Sequence, residues 1–118
     1  MDLLVQEDPA IVTWWGTTVE CTSAVARLEG DGILAGGDVR AAMERLRVAS
    51  QTWIEVPATT DVREQAIRLL RVHRLRATDA LQLAAAIVAS DFQASAIEFV
   101  TLDERQAAAA EREGFTLS

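Results

Sequence analysis

The segments Leu75-Arg76-Ala77-Thr78-Asp79-Ala80-Leu81-Gln82-Leu83-Ala84-Ala85-Ala86 and Ile97-Glu98-Phe99-Val100-Thr101-Leu102-Asp103-Glu104-Arg105 read as a helix and a returning strand. A helix from Ala77 to about Ser90 travels roughly 20 Å at 1.5 Å per residue. The strand Ile97 to Leu102 brings the chain back by about the same distance at 3.3 Å per residue. Asp103 therefore returns to the level of Asp79. Glu20 stands just past the carboxyl end of another apolar run, Ile11-Val12-Thr13-Trp14-Trp15, in the first turn of the helix that follows it. In a parallel sheet all three acids share one edge, the edge at which open α/β folds bind ligands.

Working outward, the same alternation continues. Helical patterns run over Thr17 to Glu29, Asp38 to Gln51, Thr60 to His73 and Asp103 to Glu113, and apolar runs over Trp53 to Val56 and Phe115 to Leu117. Such alternation predicts a single α/β domain over residues 1–118, with a mostly parallel sheet covered by helices. Gly30-Asp31-Gly32 and Gly36-Gly37 bracket a turn between helices, and Gly114 ends the last one. Met1 to Gln6 reads as the tail of an apolar helix, with no strand or helix start ahead of it.

Composition sets the outer limits. The chain has 118 residues, half of them hydrophobic and a quarter charged, which suits one globular core. Cys21 is alone, no run of 18 apolar residues occurs, and Asp2 stands where a signal peptide would be basic. The chain therefore reads as a soluble cytoplasmic protein with no membrane association. A formal charge of −7 excludes an evenly basic surface that coats nucleic acid, but not a local basic patch. All 11 cations are Arg, the residue that grips phosphate bidentately, although biased composition is the stronger account of an Arg-only, Ala-rich chain.

Carboxylates gathered at one edge repel one another, and they relieve the repulsion by taking up protons or a hard cation. Oxygen-only ligation favours Mg²⁺ or Mn²⁺ over zinc. The competing reading is structural: Asp103 with Gln106, and Asp79 with Gln82, both have the spacing of a capping box. Glu20 lies between Val19 and Cys21 among small and apolar residues, so its carboxylate calls for a metal or an Arg such as Arg27. Arg68, Arg71, His73, Arg74 and Arg76 form a basic run leading to Asp79, either a phosphate-guiding groove or plain complements of a helix dipole. Trp14, Trp15 and Trp53 read as core residues, and Cys21 as a small buried hydrophobe.

Taken together, the Thr78-Asp79-Ala80-Leu81-Gln82-Leu83-Ala84 and Phe99-Val100-Thr101-Leu102-Asp103 segments and the Ala-rich helix closing on Gly114-Phe115 resemble the second half of a PIN domain. More narrowly they resemble the VapC-type toxins of toxin–antitoxin pairs. Trp14-Trp15-Gly16-Thr17-Thr18-Val19-Glu20-Cys21 resembles that family's second motif. The resemblance implies a three-layer α/β/α fold and a metal-dependent endoribonuclease in which Glu20, Asp79 and Asp103 hold Mg²⁺ or Mn²⁺. From the basic run come Arg74 and Arg76 as candidate RNA contacts, together with Thr101, which the resemblance places to orient an acid or a water by hydrogen bonding; the resemblance also implies a cognate antitoxin and a homodimer as partners. The family's first strand and the acid that ends it have no match here, so the resemblance implies impaired cleavage, or an inactive remnant that keeps a protein-binding role.

Overall fold

The structure is a computed structural model that describes residues 11–117, so the helix tail read over Met1 to Gln6 lies outside the described residues. The chain is α/β, with five helices and four short strands among those residues, and it falls into two compact units, Met1–Glu55 and Val56–Ser118.

In the first unit β1 (Val12–Trp14) leads into α1 (Thr17–Gly30) and α2 (Gly36–Ser50). The unit ends within β2 (Ile54–Val56), which pairs with β1 and begins where the Ile54 amide donates to the Ile11 carbonyl at 2.9 Å. Trp14 is buried and meets Trp15 edge-on, with ring centroids 6.3 Å apart. Trp15 itself is 58% exposed and Trp53 half-buried, so only one of the three expected core tryptophans is buried. Gly16 is required by that packing, because a Cβ there would stand 2.6 Å from the Trp14 indole nitrogen. Helices α1 and α2 pack on each other, yet neither has a buried residue.

The second unit holds the larger core. Helix α3 (Thr60–Val72) starts at Thr59, whose hydroxyl accepts the Val62 amide at 3.3 Å, and buries Val62, Ala66 and Leu69 at helical spacing. It packs on α4 (Ala77–Ala89), which answers with Ala80, Leu83, Ala84, Ala85 and Ile87. The alanines let the two helix backbones approach closely. A short 3₁₀ turn (Ala94–Ala96) leads to β3 (Glu98–Phe99), α5 (Glu104–Arg112) and β4 (Thr116–Leu117). Strands β3 and β4 are parallel, with Glu98 opposite Thr116 and Phe99 opposite Leu117. Phe99 and Phe115 pack with centroids 5.6 Å apart. Gly114, at φ 102°, closes α5 and lets the Phe115 amide turn back to the Ala110 carbonyl at 3.0 Å.

The strands thus pair two by two rather than in one ladder. The expected strand Ile97 to Leu102 shrinks to Glu98–Phe99, because Val100 and Leu102 are 74% and 103% exposed and the chain at Thr101 turns into the α5 cap. Among the described residues no helix is long and apolar enough to cross a membrane.

A charge cluster ties the C-terminal ends of α3 and α5. Arg68 donates two hydrogen bonds to the Glu113 carboxylate at 3.2 and 2.7 Å, and the His73 ring Nε2 lies 2.8 Å from its Oε2. Arg68, chiefly through its hydrogen bonds, then His73, hold the Glu113 carboxyl below its ordinary value of 4.5 against the opposing effect of burial. Because the folded value is the lower one, this stabilisation is complete above about pH 4.5 and disappears as the pH falls through the lowered value. Glu113→Gln should therefore lower stability near pH 7 by about 1–2 kcal/mol, the low end being set by the 43% exposure of Arg68. Thermal melts of both proteins from pH 7 to pH 3 should converge at the acid end; a pH-independent gap would show that the carboxylate charge is not what the cluster uses.

Candidate functional site: an acid and arginine cleft in the second unit

Asp79 is the third residue of α4. The N-cap of that helix is Arg76, with no side-chain capping bond, so the capping-box reading of Asp79 with Gln82 does not hold. The nearest cation to the Asp79 carboxylate is the Arg76 guanidinium, Nε to Oδ2 3.9 Å, and Arg76 is 82% exposed while Asp79 is 19% exposed. Such a pair is a weak tether. The acid does complement the positive end of α4.

Asp103 is the N-cap of α5, and its Oδ1 accepts the Gln106 amide at 2.8 Å. In an ordinary capping box the Gln side chain would reach back to the Asp103 amide. Here the Thr101 hydroxyl accepts that amide at 3.0 Å and donates to Gln106 Oε1 at 2.6 Å. The Gln106 amide group is released to cross to α4, where its Nε2 donates to the Asp79 carbonyl at 3.2 Å and to Gln82 Oε1 at 2.8 Å. Gln106 is 4% exposed, so the link is made out of water.

The first turn of α4 and the cap of α5 thereby share one predominantly polar cleft of about 450 Å³. Asp79, Asp103 and Glu104 supply its acids, Arg74, Arg76 and Arg105 its cations, and Leu102 its lone apolar wall. The structure thus brings together Asp79, Asp103, Arg74 and Arg76 from the sequence-derived set. Thr101 has its hydroxyl engaged within the protein. Glu20 is carried by the other unit, half-buried in the first turn of α1. Sequence reasoning missed Arg105 and the part Gln106 plays; the Asp103-x-x-Gln106 spacing was its signal, but it pointed to a cap.

The remaining candidates have other duties. Arg68 and His73 leave the basic run for Glu113. Burial, then the Glu20 charge, pushes the Cys21 thiol up, away from a reactive thiolate. A shallow groove on α1, lined by Thr18, Val19, Thr22, Ser23 and Ala26, offers no titratable group. Among the described residues no three His, Cys, Asp or Glu side chains form a group that could hold a metal ion; Asp79, Asp103 and Glu104 line the cleft without making such a group.

Comparison of the chain with family models, with curated proteins and with solved structures gave no match, and the functional reading rests on the cleft.

The two roles of Asp103 can be separated. Asp103→Ala removes the capping acceptor and should cost about 1 kcal/mol in urea denaturation, whereas Asp103→Asn keeps an acceptor oxygen and should stay within a few tenths of a kcal/mol of wild type. Equal losses in both variants would mean that the negative charge, not the cap, stabilises α5.

Proposed function

We propose that the cleft of the second unit binds a divalent cation for RNA phosphodiester hydrolysis, and that the chain is a PIN-like, VapC-type ribonuclease toxin with the three-layer α/β/α arrangement of that family. The observation that carries this reading is Asp79: a largely buried acid, no cap, weakly paired, opening on a cleft beside two further carboxylates and three arginines. The donor chemistry fits the cation. Asp79 and Asp103 offer hard oxygens, and Mg²⁺ keeps much of its water and binds through one or two carboxylates together with substrate phosphate. When bound, Mg²⁺ or Mn²⁺ would supply an activated water and charge stabilisation at the leaving oxygen.

The chain's own residues do the rest. Asp79 and Asp103 would hold the cation, and Arg74, Arg76 and Arg105 would grip the flanking phosphates and set the backbone in line. Glu20 is the further acid assigned by the resemblance. A cognate antitoxin would cover the cleft with a basic segment, which a chain of charge −7 attracts, and the protein would pair as a homodimer.

The capping bond of Asp103 favours a second reading, a catalytically inactive PIN-like remnant that acts as a protein-interaction module. Calorimetric titration with Mn²⁺ and a cleavage assay on single-stranded RNA separate the two. The expected result is saturable Mn²⁺ binding and slow, Mn²⁺-dependent cleavage, both reduced at least about 100-fold in Asp79→Asn with the melting temperature nearly unchanged. Mn²⁺ binding without cleavage would favour the remnant; no Mn²⁺ binding by the wild-type chain would overturn the cation site. Glu20→Gln in the same assays tests the acid of the first unit.

A further inference from the structure

Gln106 is the residue that the sequence treats as half of a cap and the structure uses for something else. Its side-chain amide has two donor hydrogens and one acceptor oxygen, and all are engaged: with the Asp79 carbonyl, Gln82 Oε1 and the Thr101 hydroxyl. The first two partners belong to α4, and the third precedes the Asp103 cap. One buried amide thus joins the backbone of one acid to the loop that presents the other. The capping bond to Asp103 Oδ1 comes from the Gln106 main chain, so a change of side chain leaves it in place.

We infer that Gln106 is a positioning residue, whose buried amide fixes the relative placement of Asp79 and Asp103 and thereby sets the cation affinity of the cleft. This rests on the cation-binding reading of the two acids. The geometry favours it because the capping bond fixes Asp103 on α5 but not relative to α4, while the Asp79 carboxylate has an ion pair at 3.9 Å with a largely exposed Arg76. Groups that hold metal ligands from behind change metal affinity by roughly 10–100-fold when removed, without touching the ion. Thr101 belongs to the same device. Its hydroxyl accepts a hydrogen bond from the Asp103 amide and donates one to Gln106 Oε1, so the two side chains act in series.

The experiment is calorimetric titration with Mn²⁺ alone on wild type, Asp79→Asn, Gln106→Met, Thr101→Val, the Gln106→Met/Thr101→Val double variant, and Val62→Ala. Methionine matches glutamine in length but makes none of the three hydrogen bonds. Val62, 1% exposed on α3 and outside the cleft, serves as a destabilised control. Expected is a Mn²⁺ dissociation constant raised about 10-fold or more in Gln106→Met, raised less in Thr101→Val, no further raised in the double variant, and unchanged in Val62→Ala. Wild-type affinity in Gln106→Met, with Asp79→Asn still losing Mn²⁺, would overturn the positioning role and leave the cation site standing. Equal weakening by Val62→Ala at a similar melting temperature would overturn it too, by showing a general effect of stability. A wild-type chain that binds no Mn²⁺, or an Asp79→Asn chain that binds as well as wild type, would bring down the cation site and the role together. If Gln106→Met does not fold, Thr101→Val against Val62→Ala decides the matter by the same criterion.

Discussion

A side-chain amide taken out of water must find partners for two donors and an acceptor, and each one left unpaired costs about 1–3 kcal/mol. Gln106 meets that demand with groups from two separate stretches of the second unit, and the local structure follows from it. The Thr101 hydroxyl must point at Gln106 Oε1, so the chain cannot continue as a strand through Thr101. The loop turns instead, exposing Val100 and Leu102 and delivering Asp103 to the cap of α5. The start of α5 is then pinned to the start of α4 through the Asp79 carbonyl and Gln82. The apolar core of Val62, Ala66, Leu69 and the α4 alanines holds the helices together but is indifferent to small slides along them. Directional hydrogen bonds remove that freedom at the end where the acids stand.

The opposite ends of the helices are governed by charge. Glu113 at the end of α5 would be disfavoured by the negative pole of its own helix. Arg68 and His73 offset this, and in doing so they leave the basic run that precedes Asp79. The run is thereby divided between cations that reach Glu113 and cations that stand at the cleft, where Arg76 lies 3.9 Å from Asp79. Arg68 and His73 serve the fold; Arg74 and Arg76 stand at the cleft, joined there by Arg105 from the first turn of α5. Sequence proximity alone could not make that division, since Glu113 is 45 residues from Arg68.

Among the described residues, each helix boundary read from the sequence lies within about two residues of the observed one, because 3.6-residue periodicity, capping residues and Gly114 are local signals. Strands were less legible. A strand is defined by its neighbour, and the apolar run Ile97 to Leu102 carries no record of where pairing stops. Trp15 shows the same limit: alternation placed it in an apolar run, but which face of a two-stranded pair is covered is a tertiary fact. The meeting of Asp79 and Asp103 at one cleft is read from path lengths along a helix and a returning strand; the helix has the length read from the sequence, while the strand is only Glu98–Phe99 and a loop completes the return. Gln106 was seen but misassigned, since a capping box and an amide crossing to another helix share one spacing, and only the Thr101 hydroxyl distinguishes them. Arg105 left no pattern at all, because its place at the cleft follows from the cap that starts α5.

The charge of the cleft bears on how the proposed function would be ordered in time. Arg74, Arg76 and Arg105 stand against Asp79, Asp103 and Glu104, so formal charges balance within a chain whose net charge is −7. A phosphodiester approaching that balanced cleft gains little from long-range attraction and meets a repulsive chain beyond it. A divalent cation held by Asp79 and Asp103 shifts the cleft to a local charge of about +2, and the arginines then act with it rather than against the acids. On the proposed reading, cation binding therefore precedes and enables phosphate binding. It also follows that the spacing of the two acids, held from behind by one neutral amide, controls the sign of the field the substrate meets. A charged residue in the place of Gln106 would alter that field directly; the neutral amide fixes the geometry and leaves the charge of the cleft to the acids, the arginines and the cation.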